Sequence, residues 1–492
     1  MRKLNIAFIT PEAVPYAKTG GLADISGILP HLLAEEGHNV KLILPLYRQV
    51  TASFSNLKKL SYSFDISIGD EKHKAEFYQL TNSQSGLETI FVANNFFFDR
   101  AELYRDVKSG EDYEDNDERF IFFSGAVLEG MRAMAWRPDV WHANDWQTAL
   151  IPIYLKTLYK DDLFYSSSRS VFTIHNLAYQ GQFPKETFPK LELDKALFYG
   201  TAPLEFWGKV NFVKGAVLFA DKITTVSPTY AKEIQGTADF GMGLEGVLRE
   251  RAVDLVGILN GVDYKIWSPT RDRLIPAHYY PANLSGKKTN KLALVHRAGF
   301  PIRMEQPLFG MISRLDSQKG FDLLEEIIDD MMKLDMQFIL LGTGDEKYHA
   351  IFKKAEATYP DKFKFYMKFD NELAHLIEAG SDIFLMPSRY EPCGLNQMYS
   401  LKYGTVPIVR KTGGLADTVI DFDENNKIGT GFVFEEYEAE ELLDTTKRAI
   451  RIFNRRKTWY KIMKQGMKQD FSWEKSTKAY LELYSSLERG NS

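Results

Sequence analysis

Lys18–Asp24 and Lys411–Asp417 are the same seven residues, KTGGLAD. A lysine and paired glycines opening a helix suit an anion. Glycine lets the backbone approach a ligand closely and adopt positive φ, and the N–H groups of a helix start point at negative charge. The first copy offers Lys18, Gly20, Gly21 and Asp24. Arg314 and Lys319 stand five residues apart in SRLDSQKG. A planar fork and a point charge in one turn can clamp a diphosphate. In RYEPCGLNQ, Glu391 sits in a turn where a carboxylate can bind sugar hydroxyls or balance developing positive charge. Behind it, Gly394 leads into a helix whose start at Leu395 and Asn396 can receive a phosphate. Cys393 reads as a small buried residue in this substrate-binding turn rather than a nucleophile, since nothing nearby supplies a base. His142 and Asp145 in VWHANDWQTAL follow a strand pattern, as do His175 and Asn176 in VFTIHNLAYQG. Neither has metal-protease spacing, so zinc is not indicated, and either histidine alone reads first as a structural hydrogen-bonder. GTGD, from Gly342 to Asp345, lacks the third glycine of a dinucleotide fingerprint. It suits a turn where backbone meets a nucleoside.

Such residues work only if something places them together. Apolar strand patterns alternate with helical ones almost throughout: LNIAFIT, NVKLILP, LETIFVAN, VWHAN, SVFTIHN and KITTVSP in the first half, PLFGMIS, QFILLG, FKFYMKF, DIFLMPS and TVPIVR in the second. That predicts α/β architecture with parallel sheets. The motifs follow strands directly, as ligand residues do in doubly wound folds. LADISGILPHLLAEEGH reads as a helix interrupted by Pro30, and the acidic stretch between Asp99 and Glu118 as a mobile loop. KSTKAYLELYSSLERG, ending at Gly490, reads as a helix. The Gly-, Pro- and Asn-rich segment Gly257–Gly286 marks a domain junction. We expect an N-terminal Rossmann-like domain over 1–260, a C-terminal one over 261–470, and a terminal helix over 471–492 that packs back on the first domain. The two copies of KTGGLAD stand in different contexts, one after the first strand of its half and one after a late strand. They are not the trace of a duplicated domain.

Composition narrows the function. The chain has 492 residues, a net charge of −5 and one cysteine. An intrachain disulfide and a cysteine-rich metal site are excluded. The charge balance argues against a nucleic-acid binder, and no apolar run has the length of a membrane span. The chain opens on a strand pattern, which reads as a protein without a targeting leader. A cytoplasmic enzyme acting on small metabolites or neutral polymers fits.

In order along nearly the whole chain, KTGGLAD, HANDWQTAL, HNLAYQG, ADKITTVSPTYAKEI, LNGVD, SRLDSQKG, EPCGLNQ and LKYGTVPIVRKTGGLADTV resemble bacterial glycogen synthases and plant starch synthases. The resemblance implies a two-Rossmann glycosyltransferase of the GT-B type with an interdomain cleft. It implies transfer of glucose from a nucleoside diphosphate glucose, ADP-glucose favoured over UDP-glucose, to the non-reducing end of an α-1,4-glucan with retention. No metal and no cofactor are implied. Arg314 and Lys319 would neutralise the leaving diphosphate. Glu391 would hold the transferred glucose. Asp145 and His175 would line the glucose site, with the His175 carbonyl near the reacting carbon. Lys18 and Gly20–Gly21 would reach donor phosphate or acceptor. Asp24 and Asn260 would be polar lining, and Tyr104 would contribute from the acidic loop. The family pattern has Thr where Asn396 stands and an aromatic residue where Met242 stands. A sugar-nucleotide epimerase and an inactive glucan-binding protein are the competing classes.

Overall fold

The computed structural model describes residues 2–81 and 86–489. Its chain divides into two compact units, one of Met1–Val226, Ala231–Ile258 and Glu474–Ser492, the other of Ser227–Tyr230 and Leu259–Trp473.

The first unit is built on a nine-stranded sheet. Its strands are β1 (Asn5–Ile9), β2 (Asn39–Pro45), β3 (Lys58–Ile68), β4 (Glu71–Thr81), β5 (Glu88–Ala93), β6 (Val140–Asn144), β7 (Arg169–Ile174), β11 (Lys222–Thr225) and β12 (Leu255–Gly257), the intervening numbers belonging to a small sheet of β8 (Gln182–Pro184), β9 (Glu205–Phe206) and β10 (Lys209–Asn211). The large sheet runs β12-β11-β7-β6-β1-β2-β5-β4-β3. Every pairing from β12 to β5 is parallel, and β5-β4-β3 is antiparallel. The parallel strands are the short apolar runs expected when both faces are covered. β3 and β4 were not legible in that way. β3 alternates exposed and part-buried residues, the mark of an edge hairpin with one wet face.

The second unit holds β13 (Leu308–Ile312), β14 (Gln337–Leu341), β15 (Phe363–Tyr366), β16 (Ile383–Met386), β17 (Val406–Arg410) and β18 (Phe432–Phe434), all parallel, in the order β15-β14-β13-β16-β17-β18. The helix Phe321–Lys333 shows why its core forms. Phe321, Leu324, Ile328 and Met331, with Leu323, Ile327 and Met332, fall on one face and are buried against Phe309, Phe338 and Leu340.

Both sheets have a point where strand order reverses. In the first unit it lies at β1, between β2 and β6. In the second it lies at β13, between β14 and β16. The carboxyl ends at such points are where doubly wound sheets receive ligands.

Three local expectations change. The helix Gly21–Glu35 is continuous through Pro30. The proline forfeits one hydrogen bond to the carbonyl of Ser26, but the buried face of Leu29, Pro30 and Leu33 holds the helix together. The acidic stretch after Asp99, read as a loop, carries its own cross-links. Arg100 pairs with Asp115, Arg105 with Asp112, and Asn116 Nδ2 donates to Tyr104 O at 3.0 Å. The last helix spans Trp473–Arg489, and Gly490 lies outside the described residues. Among the described residues, no helix is long and apolar enough to cross a membrane.

Candidate functional site

At the switch point of the second unit, β13 ends into Ser313 and Arg314, and β16 ends into Pro387 and Ser388. A pocket of about 190 Å³ opens there, lined by Arg314, Lys319, Glu391, Gly394, Leu395 and Asn396 among others. Asp316 caps the short turn that carries Lys319 by accepting from Gln318 N at 3.0 Å. Gly320 turns the chain back at φ +76°, with a would-be Cβ 2.0 Å from Pro387 O. Only glycine fits, and this contact ties the Lys319 turn to the end of β16. Lys319 Nζ donates to both Glu391 oxygens, at 3.0 and 2.7 Å, and Ser388 Oγ adds a third bond at 3.0 Å. Glu391 is 6% exposed. A buried carboxylate is tolerable only with such partners. Arg314 is more open, its side chain 3.9 Å from Asp316.

Asn396 opens the helix Asn396–Tyr403 and donates through Nδ2 to Ile312 O at 2.9 Å. The side chain thus braces β13, and the helix start stays at the pocket wall. Cys393 is buried and its thiol is pushed up to about 12 by that burial. It is an inert, protonated group at neutral pH. Asn260, also buried, contacts Cys393, and its Oδ1 has no partner among the described residues. Gly342 has a packing reason: a Cβ there would lie 1.9 Å from Ser313 O, so β14 can pass close behind the pocket only without a side chain.

The switch point of the first unit gathers a second set. β1 ends into Thr10, Pro11 and Glu12, and β6 into Asp145. Asp145 adopts φ +57°, a costly conformation for a non-glycine residue. Its Oδ1 accepts from His175 N at 2.7 Å. Burial pushes the Asp145 carboxyl up to about 7, with the nearby Glu12 charge adding to the rise. Burial pushes His175 down to about 3, so its ring is neutral at pH 7. His175 Nε2 lies 3.0 Å from Asn144 Oδ1, whose Nδ2 is occupied by Ile9 O. That makes Nε2 the donor and leaves Nδ1 as an acceptor. Nδ1 is buried with no partner among the described residues, and it is suited to accept from a hydroxyl group. His142 is different. Both of its ring nitrogens are spent, on Tyr484 Oη at 2.7 Å and Thr173 Oγ1 at 2.6 Å. It is a core residue. Asn176 sits half-buried at the end of β7 and accepts from Ala178 N, shaping the turn after His175.

Glu12 escaped the sequence reading, and it is the hub of this set. Its carboxylate accepts from Thr19 N at 2.5 Å, Thr19 Oγ1 at 2.6 Å, Gly20 N at 3.3 Å and Tyr104 Oη at 2.9 Å. The backbone groups just before the first KTGGLAD helix are therefore already held, not free. The helix's own first N–H groups begin at Gly21. Lys18 Nζ reaches Asp24 at 2.6 and 2.8 Å, and Gly20 and Gly21 face open space. The only sequence signal for Glu12 was its place after β1.

Known proteins resemble both units. Residues 5–250 match the starch synthase catalytic domain, and residues 295–465 match the glycosyl transferases group 1. Relatives named glycogen synthase include those of Koribacter versatilis, 46% identical, and Geotalea daltonii, 48% identical, each matched over 98% of both chains. The catalytic domain of starch synthase IV from Arabidopsis thaliana, solved bound to ADP and acarbose, superposes with a TM-score of 0.88 over 99% of both chains at 33% identity. A sucrose-phosphate synthase from Thermosynechococcus elongatus shares the fold alone, with a TM-score of 0.60 at 18% identity.

Proposed function

The chain belongs to the family of glycogen and starch synthases, and from that premise we propose how this glycosyltransferase works: it moves glucose from ADP-glucose to the non-reducing end of an α-1,4-glucan, with retention, in the cytoplasm. The observation that carries the donor assignment is the pocket at the second switch point. Two cations, Arg314 and Lys319, and one buried carboxylate, Glu391, stand at a parallel-strand carboxyl end beside a helix start. A sugar diphosphate needs that set. The bond from the anomeric carbon to the diphosphate oxygen breaks, and negative charge grows on the leaving group. Fixed cations aimed at that charge lower the barrier. Lys319 is already held by Glu391, so its position is set before the donor arrives. Glu391 offers its oxygens to sugar hydroxyls and balances positive charge near the anomeric carbon. The acceptor hydroxyl oxygen bonds to that carbon, and its proton leaves with the diphosphate.

We assign the donor to the second unit and the acceptor and glucose lining to the first. His175 Nδ1 accepts from a sugar hydroxyl. Asp145 holds the backbone of His175, and with it the direction of the His175 carbonyl. Lys18, beside Gly20 and Gly21, meets anionic donor oxygens or the acceptor, with Asp24, Tyr104 and Asn260 as polar support. ADP is favoured over UDP by the overall likeness and by the ADP bound in the starch synthase IV structure.

The test is direct. Purified protein is given maltoheptaose with ADP-glucose or UDP-glucose, and nucleotide release and chain length are followed. ADP-glucose should be used faster. Glu391→Ala should lose at least about 100-fold in kcat with an unchanged melting profile. Near-normal turnover by that variant would sink the assignment of Glu391.

A further inference from the structure

Trp207 is the most conspicuous side chain that the reaction leaves unused. It lies at the tip of the β9–β10 hairpin and is 80% exposed. Exposure alone is ordinary for a single apolar side chain; what sets Trp207 apart is how it is held. The backbone there is also strained. Trp207 holds φ +49°, followed by Gly208 at +81°. A two-residue hairpin loop requires positive φ at both positions, which Gly208 adopts readily and Trp207 only at a cost. Glu205 Oε1 accepts from Gly208 N at 2.8 Å and secures the turn.

The indole is braced from beneath. Its ring lies 4.4 Å from that of Phe206, and its far edge packs over Gly243, where an added Cβ would fall 2.8 Å from both Trp207 Cη2 and Phe206 Cζ. Gly243 at φ +85° and Met242 at φ +49° form a second strained turn under the first. That turn is bonded to the His175 loop, since Gln180 Nε2 donates to Met242 O at 3.1 Å. Gln180 Oε1 in turn accepts from Asn211 Nδ2 at 2.6 Å and Gln182 Nε2 at 3.0 Å. The platform is therefore a braced aromatic face whose supporting turn is tied, through the buried amides of Gln180 and Asn211, to the loop that carries His175, and half-exposed Tyr179 lies on the same loop.

We infer that Trp207 is a stacking platform for the glucan acceptor, which lays the apolar face of a glucose ring on the indole beyond the reacting end. The inference rests on the reading that the protein elongates an α-glucan. The chemistry selects the occupant. A sugar ring offers a C–H face, which an exposed indole matches, and a polar rim that stays hydrated around it. An anion would find exposed Lys209 beside the turn, and one surface lysine holds an anion weakly. A protein partner would want a contiguous apolar patch rather than one braced ring.

The test compares wild type, Trp207→Ala and Trp207→Tyr. In Trp207→Ala the KM for maltoheptaose should rise about three- to tenfold, while the donor KM and the melting temperature hold at wild-type values. Trp207→Tyr should recover most of the loss. Maltoheptaose should also quench tryptophan fluorescence of wild type, and this quench should shrink in Trp207→Ala. The quench needs no turnover, so it still speaks for the platform if the wild type fails to extend maltoheptaose, a failure that would overturn the proposed function instead. An unchanged acceptor KM with an unchanged quench would overturn the platform. So would a change in oligomeric state, by light scattering, in Trp207→Ala, which would mark the indole as a contact between copies of this chain.

Discussion

The two copies of KTGGLAD are chemically identical and do opposite things. In the first copy the glycines face open space, with no neighbouring atom of the described residues within 4 Å of a Cβ at Gly20 or Gly21. In the second they are walled in. A Cβ at Gly413 would lie 2.0 Å from Glu391 O, and one at Gly414 2.0 Å from Cys393 O. Gly414 N donates to the carbonyls of Glu391 and Pro392 at 3.1 and 3.2 Å. The helix start that reads as a second anion site is spent on the chain's own backbone, and its work is to hold the turn that presents Glu391. The aspartates diverge as well. Asp24 holds Lys18, whereas Asp417 accepts from Thr229 N and Oγ1 at 3.0 and 2.6 Å. The lesson is that a motif states what a backbone can do. What lies within 3 Å decides what it does.

The largest effect should come from crowding the walled copy. Gly414→Ala pushes a methyl into Cys393 O and displaces Glu391. A shift of about 1 Å at a reacting group costs on the order of 100-fold in rate, and overpacking costs about 1–3 kcal/mol. We expect kcat/KM to fall by at least that factor and the melting temperature to drop by several degrees. Gly21→Ala should leave the melting temperature within about 1 °C, because nothing is there to strike. Equal thermal damage from the two variants, read by calorimetry, would erase the distinction.

Next come the lysines. Lys18 faces the open turn, and losing a charge-assisted contact there, worth about 1.5–3 kcal/mol, should cost roughly ten- to a hundredfold in kcat/KM. Lys411 pairs with Glu435 at 2.6 Å, and both side chains are more than half exposed. Such a pair is worth little. Lys411→Ala should stay within about threefold of wild type. If it proves the more damaging change in steady-state kinetics, the second copy is the ligand site and the ranking reverses.

The smallest effect concerns the unit that carries the open copy, and it is read in stability rather than turnover. His142 and His175 are held near 3 by burial, against an ordinary value of 6.5, so each contributes stability above pH 6.5 that is lost as pH falls. Asp145 is raised to about 7 and acts in the opposite sense, its contribution being lost as pH rises toward 7. Between about pH 4 and 6.5 the unfolded chain binds two more protons at the histidines and one fewer at the aspartate. Asp145→Asn removes the opposing group. Its stability should therefore fall faster on acidification than that of wild type, by about 1.4 kcal/mol per pH unit. Urea unfolding of both proteins at pH 5 and 6 measures this. Parallel pH dependences would show that Asp145 does not titrate in that range.

Much of the second unit was legible because its strands are short apolar runs bounded by turn residues. Arg314, Lys319 and Glu391 stand next to such runs, so position and chemistry pointed the same way. The strands β3 and β4 of the edge hairpin were not legible, because alternating exposed and buried residues do not form an apolar run. Glu12 was hidden for another reason. A single acid in a loop carries no signal until Thr19, Gly20 and Tyr104, the last 92 residues away, close around it. Both histidines read as following strands, but His142 lies within β6 with both nitrogens satisfied, whereas His175 follows β7 with one left over.

By itself the sequence determined the α/β alternation, the motif residues at strand ends and the family, because periodicity and local residue type suffice for each. The tertiary structure decided which glycines are crowded and which are clear. It also decided which histidine keeps a lone pair, which acid organises the first turn, and where one tryptophan is held out into water. These are properties of neighbours far apart in the chain. Burial and contact distance, which set their energies, exist only once the sheets have brought those neighbours together.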